Sequence, residues 1–220
     1  MPKRLIIAID GPSGAGKGTI ARTLAERLHY RHVDTGAMYR AVAWKALDDR
    51  VALDDEPAVA ALAQRSNIDL ESGRVMIDGR DVTKEIRTAE IDKAASSVAR
   101  MPRVRQVLVE RQRRMAEGRG VVMEGRDIGT VVFPNADVKI YLDASADERA
   151  RRRMNDPAHS GGQAGQAAVA ASIDARDRSD ATRTESPLTM AADAVLIDTT
   201  DMPIPQVVER VMAMIKNRSS

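Results

Sequence analysis

Gly11, Gly14, Gly16 and Gly18 crowd into the stretch Gly11-Pro12-Ser13-Gly14-Ala15-Gly16-Lys17-Gly18-Thr19, directly behind the apolar run Leu5 to Ile9. Without a Cβ these residues can take φ > 0 and turn successive backbone N–H groups inward, which makes a concavity suited to an anion. Lys17 adds a point charge there. Behind it Ile20, Leu24 and Leu28 recur at helical spacing, so the positive end of a helix dipole points at the same spot. Strand, glycine loop and helix in this order predict a loop that wraps the β-phosphate of a nucleoside triphosphate, and hence phosphoryl transfer. The plainer alternative is a glycine-rich turn with a chance lysine. One detail narrows the reading: Gly18 follows Lys17 where a magnesium-ligating Ser or Thr usually stands, and Thr19 comes one place later.

The rest of the chain alternates strand and helix. Short β-branched runs occur at Leu5 to Ile9, Val121 to Met123, Val138 to Leu142 and Ala194 to Ile197, with a weaker one at His32 and Val33. Helical patterns follow most of them, which predicts a parallel sheet covered on both faces. Ile204, Val207, Val208, Val211, Met212 and Ile215 predict one apolar stripe on a last helix started by Asp201 and Pro203. Two segments break the alternation. Between about Asn67 and Thr83, Ile68, Leu70, Val75, Ile77 and Val82 alternate with polar residues around Ser72-Gly73 and Asp78-Gly79, which predicts a small antiparallel meander. Asn155 to Ala168 is rich in Gly, Ala, Gln and Ser and is flanked by Arg151 to Arg153 and by Arg176, Arg178 and Arg183. It reads as the tip of a mobile lid that excludes water when the site is loaded, or else as a disordered surface loop.

Composition limits the partners. The chain has 220 residues, enough for one substantial core with small inserted lobes, and a net charge of +2 with acids and bases interleaved. Aromatics make up 2%, too few for a base-stacking RNA surface, and there is no cysteine for disulfide or thiolate chemistry. His29, His32 and His159 are not spaced as metal ligands, and read as surface or structural. The N-terminal apolar run is too short for a signal peptide and nothing approaches ~20 apolar residues, so a cytoplasmic protein acting on small molecules, with no nucleic acid or membrane partner, is expected.

Phosphoryl transfer needs further positive groups, and arginine serves best because its planar fork binds phosphate oxygens in pairs. They should lie at loops near the carboxyl ends of strands. Tyr39 and Arg40 follow the cap signal Asp34-Thr35-Gly36; Glu124-Gly125-Arg126-Asp127-Ile128-Gly129-Thr130 follows a strand; Arg176-Asp177-Arg178 through Arg183 lies past the lid tip. Arg126 could equally pair with Asp127 on the surface. Asp78-Gly79-Arg80-Asp81-Val82-Thr83 looks like the Glu124 segment but falls in the meander, and reads as hairpin chemistry.

Together these blocks make the chain resemble the bacterial cytidylate kinases, the CMP and dCMP kinases of the nucleoside monophosphate (NMP) kinase group. The resemblance also takes in Glu85-Ile86-Arg87-Thr88, Pro102-Arg103-Val104-Arg105, Gly125 through Pro134, and Tyr141-Leu142-Asp143-Ala144-Ser145. It implies an α/β P-loop kinase fold: a five-stranded parallel sheet flanked by helices, with an inserted NMP-binding subdomain carrying a small antiparallel sheet, and a mobile lid. The whole of 1–220 would be one kinase domain, with the NMP-binding region at about 35–100, the meander at about 66–84 and the lid at about 151–183. ATP would lie on Gly11 to Thr19. Arg40, Arg126 and Arg183 would hold the CMP phosphate, Arg176 and Asp180 the sugar hydroxyls, and Ser96, Arg105 and Asp127 the base, with Thr35, Gly36 and Tyr39 lining the same site. Lys17, Arg126 and Arg183 would be catalytic, magnesium would arrive with ATP without a site of its own, and the protein would be a monomer. Ser179 and Ala181 stand where some relatives carry further lid arginines.

Cytosine offers an amino donor and two acceptors, at N3 and O2, and a carboxylate at Asp127 with a guanidinium at Arg105 is the complementary set. In-line transfer to a phosphate that is already an anion needs positioning and charge stabilisation instead of a strong base. A P-loop kinase for another small acceptor would not need Ser96, Arg105 and Asp127, and a regulatory nucleotide switch would carry Ser or Thr in place of Gly18.

Overall fold

Ile7 and Ile9 of the first strand, β1 (Ile6–Asp10), turn to one face of a sheet and Ala8 to the other, and all are buried, as an interior strand requires. The structure, a computed structural model, describes residues 4–71, 73–156 and 165–219. Around β1 stand β2 (Arg31–Asp34), β6 (Val121–Gly125), β7 (Val138–Asp143) and β8 (Val195–Asp198), in the order β2-β6-β1-β7-β8 and all parallel. Helix α1 (Lys17–Leu28) leads from β1 to β2 on one flank, whereas β7 and β8 lie on the other. That reversal opens a crevice at the carboxyl end of β1.

Two apolar layers cover the sheet. Ile7, Ile9, Ile20 and Leu24 pack with Val207, Val208, Val211 and Ile215 of the last helix, α8 (Ile204–Ser219). On the opposite face Ala8 and Met123 meet α2 (Thr35–Asp48), α3 (Glu56–Arg65), α4 (Ala89–Val98) and α5 (Pro102–Met115). Local signals start these helices. Asp34 accepts the Ala37 N–H at 3.0 Å, Asp55 that of Ala58 at 3.0 Å and Thr88 that of Ile91 at 3.2 Å, while Pro102 opens α5. Ile204 is a correction to the predicted stripe. It is 50% exposed, because it sits on the first turn of α8 at the rim of the crevice instead of on the sheet.

The expected meander is present as β3 (Ile68–Glu71), β4 (Arg74–Ile77) and β5 (Arg80–Asp81), antiparallel in that order. Asp78 and Gly79 both take positive φ, 50° and 80°, in the tight turn between β4 and β5, which is the hairpin role expected of that motif. Arg80 stacks 4.5 Å above the Trp44 ring and ties the insert to α2. Helices α6 (Ala146–Met154) and α7 (Gln166–Thr182) flank the glycine-rich stretch. Residues 157–164 of it, His159 included, lie outside the described residues, and Gln166 to Ala168, expected to be part of a loop, already belong to α7.

Candidate active site

The glycine loop lies at the carboxyl end of β1. A Cβ on Gly11 would fall 2.0 Å from the Leu142 carbonyl oxygen, so only glycine lets the chain leave β1 against β7. Gly16, at φ 89°, caps α1 with no side-chain acceptor, which leaves the first N–H groups of the helix for an anion. Lys17 is buried, donates to the Pro12 carbonyl at 2.7 Å, and is pushed down to about 7 by that burial, with the Arg126 charge adding to it. His32, within β2, holds Glu124 at 2.9 Å; the Glu124 carboxylate is buried, and a Cβ on Gly18 would lie 3.4 Å from it. That separation is ordinary van der Waals contact, so space alone does not require the glycine after Lys17.

One cavity of about 920 Å³ runs from this loop to α4 and α5. Of the predicted residues, Ser13 through Thr19, Thr35, Gly36, Tyr39, Arg40, Ser96, Arg105, Arg126, Asp127, Arg176, Asp180 and Arg183 all line it. Gly11 and Pro12 do not: Gly11 lies against the Leu142 backbone, and the Pro12 carbonyl accepts from Lys17. Asp127 is buried at the far end and paired with Arg105, which lies 5.6 Å above the Tyr39 ring and also donates to the Ala99 carbonyl at 3.3 Å. Burial pushes the Asp127 carboxyl up, while Arg105 and Arg183 pull it back. Arg126 donates to Asp180 at 2.9 Å and does not pair with Asp127, and Arg183 stands 3.7 Å from both Asp127 and Asp180. Thr35 donates to the Glu124 carbonyl at 2.7 Å, Arg40 to Asp34 at 3.0 Å, and Ser96 to the Asp92 carbonyl at 3.1 Å.

Among the described residues, Arg40, Arg105, Arg176 and Arg183 each keep a buried guanidinium nitrogen with no hydrogen-bond acceptor. Buried donors of this kind are rare in a finished interior, and four on one cavity call for acceptor oxygens from a ligand. Burial, with the Arg126 charge next in size, lowers Arg176 to about 10. An anion entering here relieves that repulsion.

Sequence reasoning missed several residues that complete the site. Asp10 accepts the N–H groups of Ile128 and Gly129 at 2.8 and 2.7 Å. Asp177 of α7 accepts the Ser13 N–H at 3.0 Å and pairs with Arg149, which itself donates to the Ser13 carbonyl at 3.1 Å. Arg153 and Arg176 both pair with Asp92 of α4. Arg152 and the segment Thr199 to Ile204 line the end of the cavity beyond the loop. Arg152, Arg153 and Asp177 stood in the arginine-bearing segments around the lid without a role assigned, and the acid that closes β1, ahead of the glycines, could also have been flagged from the sequence. The other partners lie too far apart along the chain to leave a local pattern.

A family model described as cytidylate kinase matches residues 7–217. The chain is 51% identical over 214 residues to a cytidylate kinase from Pelotomaculum thermopropionicum, covering 95% of each chain. It is 49% identical to one from Desulfitobacterium hafniense, covering 99% of this chain and 95% of that one. Among solved structures, shikimate kinase from Acinetobacter baumannii in complex with shikimate is similar in fold, at 14% identity and a TM-score of 0.51, over 98% of this chain and 95% of that one.

Proposed function

The chain belongs to the cytidylate kinase family, and from that footing we propose that its cavity transfers the γ-phosphoryl of ATP to the phosphate of CMP or dCMP. The observation that carries this reading is the buried Arg105–Asp127 pair at the opposite end of the cavity from the glycine loop. Asp127 accepts from the cytosine amino group and Arg105 donates to N3 and O2, with Ser96 beside them. Uracil would set O4 against the carboxylate and N3–H against the guanidinium, and a site built on such bonds discriminates by a factor on the order of 10⁴.

The N–H groups of the glycine loop and Lys17 hold the β- and γ-phosphates, while the base of ATP lies toward Arg152 and the Thr199 to Ile204 segment. Arg40, Arg126 and Arg183 hold the acceptor phosphate, and Arg176 and Asp180 face the sugar. Arg126 and Arg183, together with Lys17, stabilise the charge on the moving phosphoryl group as an oxygen of the CMP phosphate attacks the γ-phosphorus in line; the bond to the β–γ bridging oxygen breaks and ADP leaves, with no covalent enzyme intermediate. Residues 151–183, built on α6 and α7, act as the lid and exclude water once both substrates are in place. The donor set suits a magnesium ion that arrives on ATP: Glu124 is the carboxylate beside Gly18, and among the described residues no cluster of three or more His, Cys, Asp or Glu suits a metal. When bound, magnesium neutralises β- and γ-phosphate charge. No helix among the described residues is long and apolar enough to cross a membrane, in keeping with a cytoplasmic enzyme.

A panel of nucleoside monophosphates with ATP and magnesium tests the assignment. CMP and dCMP are expected to be the good acceptors and UMP poor, with Asp127→Asn narrowing the CMP preference. Equal turnover of UMP and CMP by the unmodified protein would overturn it.

A further inference from the structure

Asp10 is the last residue of β1, one position before the glycine loop, and its side chain does not serve that loop. It is 5% exposed and reaches across to the chain that follows β6, where Oδ1 accepts the Ile128 N–H at 2.8 Å and Oδ2 the Gly129 N–H at 2.7 Å. Those two N–H groups open a π-helical turn, Ile128–Val132. The residue in its capping position is Asp127, which makes no side-chain cap because its carboxylate is committed to Arg105. The first N–H groups of any helical turn need an acceptor from outside the turn, and here a different strand supplies it. The fit is close: a Cβ on Gly129 would lie 3.3 Å from Oδ2 of Asp10 and 3.2 Å from Cδ of Lys139. Lys139 does not compete for Asp10, since its ammonium group is held by the Pro134 carbonyl at 2.5 Å and by Asp193 at 2.8 Å.

We propose that Asp10 is a positioning residue that fixes Arg126 and Asp127 relative to the glycine loop, and so sets the distance between donor and acceptor. The inference rests on the CMP kinase reading above. Asp10 adjoins Gly11 in the chain, and the turn it caps adjoins Asp127, so one carboxylate joins the two halves of the site through the central strand of the sheet. Only a carboxylate can do this. It accepts from two N–H groups at once, whereas an asparagine would accept from one and turn its own NH₂ against the other. Reacting groups held about an ångström out of line can lose ~10²-fold in rate, which is the scale on which such a clamp acts.

Asp10→Asn keeps the side-chain volume and removes one acceptor. In steady-state assays it is expected to lower kcat/KM for CMP by about ten- to a hundredfold, to narrow the CMP to UMP ratio because Asp127 is released, and to leave the KM for ATP unchanged. A merely structural role would lower the active fraction, reducing CMP and UMP turnover in proportion with the ratio intact; that result, or unaltered kinetics, would overturn the proposal. Should Asp10→Asn not fold, Gly129→Ala presses on the same contact from the other side and decides in its place: a narrowed ratio supports the clamp, an intact one sinks it. The unmodified protein in the same assays separates the two claims, since absence of a CMP preference there refutes the functional reading and leaves the clamp without a basis.

Discussion

Burial decides the charge state of Lys17, and with it what happens when the donor binds. The ammonium group is enclosed, with Arg126 nearby, and its pKa falls from 10.5 to about 7. A base whose folded pKa is lowered favours the neutral form, so the fold is destabilised by this group at low pH and gains stability as pH rises from about 7 towards 10. A triphosphate reverses the balance by surrounding the amine with negative charge. Binding of ATP at pH 8 is therefore expected to take up a proton, seen as a dependence of the calorimetric binding heat on the ionisation enthalpy of the buffer. Lys17→Ala should lose that uptake and most of its turnover while keeping the fold. Heats independent of buffer in the unmodified protein would count against this account. Lys17 was legible as a phosphate ligand because four glycines and a helix pattern surround it in the sequence. Its altered acidity was not, because Arg126 reaches it only through the pairing of β1 with β6.

At the scale of elements, α1 and α7 illustrate what periodicity can and cannot reveal. Helix α1 carries Ile20 and Leu24 at helical spacing against the sheet, and its place was readable from that stripe. Helix α7 buries only Ile173 and Asp180 and is held by ion pairs instead, so no apolar period marks where it begins, and the expected loop ran on into its first turn. Its docking depends on Asp177, which takes the Ser13 N–H and the Arg149 guanidinium together. Asp177→Ala would free one N–H of the glycine loop and leave Arg149 without its carboxylate. The expected result is a rise of about tenfold in the KM for ATP, the scale of one charge-assisted hydrogen bond, with the KM for CMP unchanged. Kinetic titration of each substrate separately makes the comparison, and a matching rise in both constants would show that α7 has moved as a whole.

Across the whole molecule, the cavity concentrates Lys17, Arg40, Arg126, Arg176 and Arg183 in the gap between the glycine loop and the helices behind β6. The +2 net charge of the chain gives no hint of this, because a total says nothing of where charges gather, and Asp34, Glu124, Asp127 and Asp180 line the same cavity as these cations. These cations repel one another, and a bound phosphate offsets that repulsion. At about a hundred times its Kd, CMP alone should stabilise the fold by ~2.7 kcal/mol, a rise in Tm of roughly 5 to 10 °C for a chain of this size. Differential scanning fluorimetry with CMP, and with cytidine as the control lacking a phosphate, tests the point; equal shifts from both would assign the effect to the base instead. The parallel sheet, the meander and the phosphate loop were all written in local pattern: β-branched runs, alternation, and glycines whose missing Cβ permits a single kind of turn. Tertiary structure alone decided that Asp10 caps a turn 118 residues away and that Asp177 reaches the glycine loop across 164. Hydrogen-bond partners that distant are chosen by the order in which strands assemble, and a side chain carries no trace of that choice in the residues beside it.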